Sequence, residues 1–75
     1  MDGLTEGRIV HFVLPDGQHR PAIVVRVWDK NSGCAQLQVF TDGSNDGLQN
    51  VEWRTSVLPD ETEKKPYSWH WIERA

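Results

Sequence analysis

The chain has 75 residues, room for one domain spanning 1–75, and a domain of this size buries only about 60% of the surface its unfolded chain exposes. Eight Lys and Arg against eleven Asp and Glu give a net charge of −3, which argues against strong duplex nucleic-acid binding, although a local basic pocket stays compatible with it. The single cysteine, Cys34, excludes an internal disulfide, and no apolar run approaches the roughly 20 residues that span a bilayer.

The opening "MDGLTEGR" lacks the basic start and apolar stretch of a secretory leader, so the expected location is cytoplasmic. The first strand-like run is "GRIVHFVL", residues 7–14, and it ends at "PDGQH", where Pro15 presets one turn torsion and Gly17 tolerates positive φ. The second run, "RPAIVVRVW", is dense in β-branched residues and is the strongest strand. Alternation read straight through it places Ile23, Val25 and Val27 inward and Arg20, Ala22, Val24, Arg26 and Trp28 outward.

After the hairpin signal "DKNSG" comes "CAQLQVFT", in which Ala35, Leu37 and Val39 form a dry face and Gln36 and Gln38 a wet one. The loop "DGSNDGLQN" leads to "VEWRTSV", whose Val51, Trp53, Thr55 and Val57 alternate with Glu52, Arg54 and Ser56, placing Arg54 on the outward side. "LPDETEKKP" is charged and bounded by Pro, hence a solvated loop. The run "YSWHW" closes the series, with Tyr67, Trp69 and Trp71 on one face and Ser68 and His70 behind them.

Five short strands in a chain of this length predict an all-β fold: a small, five-stranded, SH3-like β-barrel, largely antiparallel, in which closure hides the strand edges. A domain this small, without a disulfide or a zinc cluster, is also expected to gain stability as a homo-oligomer.

The segment "DGSNDG" places Asp42, Ser44 and Asp46 with Gly47 at positions 1, 3, 5 and 6 of a calcium loop, but position 12 is Trp53 instead of Glu. It therefore reads as a turn, with Asp42, Ser44 and Asn45 as candidates for a backbone nest that receives a phosphate. His11, His19 and His70 lie far apart and show no metal-ligand spacing, so neither a metal nor a cofactor is expected. Cys34 reads as a small hydrophobe, and no nucleophile-and-base signature points to an enzyme.

Four tryptophans, two phenylalanines and one tyrosine are more rings than so small a barrel can pack beside its aliphatic residues, each ring burying about 150–250 Å². The surplus indoles suit a recognition surface in which Trp28, Trp69 or Trp71 stacks on a base. Arg26 and Arg54 would meet phosphate there, with His70 beside them. The bland alternative is that Arg26 stacks on Trp28 or pairs with Glu52, the face being a subunit interface.

The stretch "GRIVHFVLPDGQHRPAIVV", residues 7–25, is similar to the opening of the MazF/PemK-type toxins, SH3-like barrels in which the Arg of an Arg-Pro pair contributes to RNA cleavage. That resemblance implies the barrel and, for Arg20, a role in an endoribonuclease. The toxins are longer, with strands and a helix that have no counterpart here. Over its whole length, with its "QVFTDGSNDG" centre and "WHW" ending, the chain resembles a group of short proteins encoded in phage and prophage genomes, a group without an assigned function. Small phage proteins that sequester nucleotide messengers of bacterial immunity, commonly as oligomers, offer an analogy of size and context. The leading expectation is thus a non-enzymatic, phage-encoded protein that binds a nucleotide-like small molecule, such as a cyclic nucleotide, in an aromatic and Arg pocket at a subunit interface. The alternatives are a toxin-like RNA-binding or RNA-cleaving protein and a protein–protein adaptor.

Overall fold

The computed structural model describes residues 1–43 and 51–73. Five strands follow in chain order: β1 (Ile9–Val13), β2 (His19–Asp29), β3 (Cys34–Phe40), β4 (Val51–Val57) and β5 (Trp69–His70). They form one antiparallel sheet in the order β4-β3-β2-β1-β5. Among the described residues there is no helix.

Local chemistry sets the hairpins. At the first turn Leu14 N donates to Gln18 O at 2.8 Å, Gly17 N donates to Leu14 O at 2.9 Å, and the Asp16 carboxylate accepts from Gln18 N at 3.0 Å. This turn fixes the β1/β2 register, with Ile9 opposite Ile23 and Val13 opposite His19. At the second, Gly33 N donates to Asp29 O at 2.9 Å, and Asn31 N donates to the Asp29 side chain at 2.9 Å.

One face of the sheet carries the core: Leu4, Val10, Phe12, Leu14, Ala22, Val24, Ala35, Leu37, Val39, Val57 and Trp69 are buried together, with Val27 and Trp71 packed against them. Fully burying a side chain of this kind contributes on the order of 1.5–3 kcal/mol.

Two alternation readings are corrected here. In β2, Ala22 and Val24 point inward while Val25 is exposed; the register shift between Val24 and Arg26 then changes the parity, so that Val27, opposite the inward Ala35, returns to the core side. In β4, Val57 and Arg54 oppose the inward residues Ala35 and Leu37, three positions apart instead of two or four. Ser56, at φ 57° within this irregularity, takes up the odd residue. Arg54 therefore shares the inward side with Leu37, and Trp53, opposite Gln38, is turned outward and 59% exposed.

The sheet is not closed: β4 and β5 are its two edges. An isolated parallel bridge, Pro59 with Trp69, brings the chain after β4 against β5, with Trp69 N donating to Leu58 O at 3.1 Å and Asp60 N donating to Trp69 O at 2.9 Å. β5 is only two residues long and Tyr67 sits at φ 67°, so the expected three-ring wall does not form as one strand. Trp69 and Trp71 still meet edge to face at 5.2 Å, while Tyr67 lies against Phe12 at 6.4 Å.

Candidate functional site

The outer side of β5, β1 and β2 gathers three histidines. His11 and His70 are direct partners across β1 and β5. His19 opposes Val13, which lies two residues along β1 from His11 and on the same face, so His19 is the diagonal neighbour of His11. The rings contact one another, with centroids at 5.9 Å for His11–His19, 5.6 Å for His11–His70 and 4.6 Å for His19–His70.

Glu73, just beyond β5, turns its carboxylate into this group. Its Oε1 lies 2.8 Å from His11 Nδ1 and 2.5 Å from His70 Nε2, and its Oε2 lies 3.3 Å from His19 Nδ1 and 3.5 Å from Lys64 Nζ. The hydrogen bond with His11 is the largest cause that holds the Glu73 carboxyl down, to about 2, with His70 and Lys64 adding to it against the opposing effect of desolvation. His70 is fully buried, and its Nδ1 has no hydrogen-bond partner. One donor atom from each of the four residues falls within 4.8 Å of all the others, a donor set that could hold a metal ion. Spacing along the chain carries no sign of this group, because strand register and not sequence proximity assembles it.

The residues expected to bind a ligand are distributed differently. Arg26 and Trp28 stand together on the exposed end of β2, the guanidinium 4.3 Å from the centre of the indole. Glu6 lies close by: its carboxylate accepts from Val27 N at 3.0 Å, the chief cause of its lowered pKa, to which Lys30 and Arg26 add. Arg54 belongs to another place. It lies over the Tyr67 and Phe12 rings at 5.4 and 5.9 Å, donates to Glu52 at 3.1 Å and leaves its Nε buried without a partner.

Arg26 and Arg54 therefore do not form one pocket, since Arg26 opposes the outward Gln36 and Arg54 the inward Leu37. Trp69 is also corrected: it is fully buried in the core, with its indole nitrogen donating to Gly33 O at 2.8 Å, and offers no face for stacking. Trp71 is half-buried against it. Asp42 accepts from Arg20 at 3.2 Å, and Arg20 also donates to Gln18 and to His19 O. Ser44 and Asn45 lie outside the described residues.

No protein-family model matches the chain, and comparison with curated proteins and with solved structures gives no match.

Proposed function

We propose that the protein is a non-enzymatic binding module, phage-encoded and cytoplasmic in its bacterial host, that sequesters a nucleotide-type ligand such as a cyclic nucleotide. The observation that carries this reading is the Arg26–Trp28 pair, a cation stacked at 4.3 Å on an indole that is 46% exposed. The outer face of the indole suits a base, the guanidinium edge suits phosphate, and Lys30 adds charge nearby. The bridge from Pro59 to Trp69 supports viewing the sheet as a rolled, SH3-like barrel. Exposed Ile9, Val25, Phe40 and Trp53 support a homo-oligomer that covers apolar surface.

A panel of cyclic dinucleotides, cyclic trinucleotides and ADP-ribose derivatives tests the reading by thermal melting. A ligand that binds only the folded chain raises Tm, on the order of 10 °C at 100-fold excess over Kd for a domain of this size. Arg26→Ala and Trp28→Ala should each abolish the rise. Absence of any shift across the panel, or an equal shift in both variants, overturns it.

One observation favours a second reading, a protein-docking role. Trp53, Gln38, Ile23 and Ile9 follow one another across four strands on the outer face, a largely apolar row of the kind that marks interfaces. Under this reading, Trp53→Gln and not Arg26→Ala should abolish association.

A further inference from the structure

We propose that His11, His19, His70 and Glu73 form a transition-metal site suited to Zn²⁺, which fastens the segment after β5 to the outer side of β1 and β2. Imidazole nitrogen and carboxylate oxygen are zinc donors, and three histidines with one carboxylate complete a tetrahedral shell without sulfur. A hydrogen-bonded brace for Glu73 would need one imidazole. Here three converge on the same carboxylate, from three different strands.

Distances define what binding would require. Zinc bonds of about 2.0–2.1 Å place tetrahedral ligand atoms roughly 3.3 Å apart, and the four donors lie within 4.8 Å of one another. Pairs at that outer limit have to close by about 1.5 Å, whereas Glu73 Oε1, now 2.8 Å from His11 Nδ1 and 2.5 Å from His70 Nε2, has to draw back by less than about an ångström to admit the ion. His70 is the fixed point, fully buried with Nε2 directed at the site. His11 and His19 are half-buried and Glu73 is exposed, so their side chains have room to adjust. The buried Nδ1 of His70 lacks a partner and would carry the ring proton once Nε2 binds metal. Coordination would then leave one buried N–H without an acceptor, a cost that the metal bonds have to exceed.

Lys64 Nζ, 3.5 Å from Glu73 Oε2, is the lysine that pairs with the carboxylate of the cluster. Its side chain is 33% exposed, and an ammonium on a flexible stem reaches water by rotating away. A dication then replaces it at the carboxylate with a larger charge and shorter bonds. With four protein ligands the shell is closed, as in structural zinc sites, and it supplies the staple that so short a chain otherwise lacks.

The experiment is calorimetric titration of EDTA-treated full-length chain with ZnCl₂ near neutral pH, repeated with His11→Asn, His19→Asn and the double variant. Expected are one zinc per chain for the natural sequence, at least tenfold weaker binding in each single variant, and no measurable binding in the double variant. Metal-free melting of each variant checks that it folds. Co²⁺ added to the natural chain should give the intense visible absorption of four-coordinate cobalt, a readout that does not depend on any variant. Zinc affinity equal in the natural chain and the folded double variant overturns the proposal. A Co²⁺ spectrum of purely six-coordinate character overturns it too, even if the variants fail to fold.

Discussion

The indole nitrogen of Trp69 donates to the carbonyl oxygen of Gly33 at 2.8 Å across 36 residues of chain. Trp69 also pairs with Phe12 and bridges to Pro59, so one buried residue holds β5, β1, the β2–β3 turn and the chain after β4 together. Trp69→Phe keeps an aromatic ring but deletes the donor, leaving the buried Gly33 carbonyl unpaired and a cavity where the larger ring stood. The expected loss is about 2–4 kcal/mol, read as a lower midpoint in urea unfolding. A loss under about 1 kcal/mol would mean that water repairs the carbonyl and that the joint is not held by this bond.

Gly33 is constrained at the same joint. Its φ is 80°, and an added Cβ would sit 2.7 Å from Pro59 Cγ and 2.9 Å from Met1 Cε. The methionine tip can yield, but the proline ring is rigid and lies beside the bridge to Trp69. Gly33→Ala therefore incurs the left-handed backbone penalty of about 1–2 kcal/mol and a steric cost above it. Gly17 is the internal control: its φ is 89° with nothing within 4 Å of an added Cβ, so Gly17→Ala should show the backbone penalty alone. Equal losses in the two variants would show that Pro59 moves aside without cost.

Five strands and their order along the chain were legible because turn chemistry and β-branched density act locally. "PDGQH" and "DKNSG" lie where the first two hairpins turn. The faces were less legible. Alternation holds only while the ladder is regular, and the irregularities at Val25 and Ser56 each inverted a face, sending Arg54 inward and Trp53 outward. Part of the histidine cluster was within reach: a turn centred near Asp16 and Gly17 makes Val13 and His19 partners, and hence His11 and His19 neighbours. His70 and Glu73 were not, since no local signal sets which strand β5 pairs with.

Trp53 is 59% exposed and pairs across the ladder with Gln38, so it contributes little to the fold of a single chain. Trp53→Gln should change unfolding free energy by no more than about 0.5 kcal/mol. If the outer face is where copies meet, the same substitution should weaken self-association by about 2 kcal/mol or more, since a buried interface tryptophan is a typical hot spot. Sedimentation equilibrium distinguishes the outcomes. An unchanged association constant would exclude Trp53 from any contact between copies.

Glu73 makes stability depend on acid in a defined window. Its carboxyl is held at about 2 in the folded chain, first by the hydrogen bond with His11, against an ordinary value of 4.5. Because the folded value is depressed, the native state favours the carboxylate, and the stabilisation is fully present above about pH 4.5. Between about pH 4.5 and 2 the unfolded chain takes up a proton that the folded chain refuses, and the stabilisation declines until the folded carboxyl also titrates. Glu6 and Asp60 are likewise lowered, chiefly by backbone N–H groups of Val27 and Glu63, so the natural protein loses stability in acid through several groups at once. The difference between the natural chain and Glu73→Gln isolates one of them. Measured in EDTA, the natural protein should melt higher above pH 4.5, and the two melting curves should converge as pH falls toward 2. A difference that stays constant through that window would show that the histidines do not hold Glu73 in its charged form.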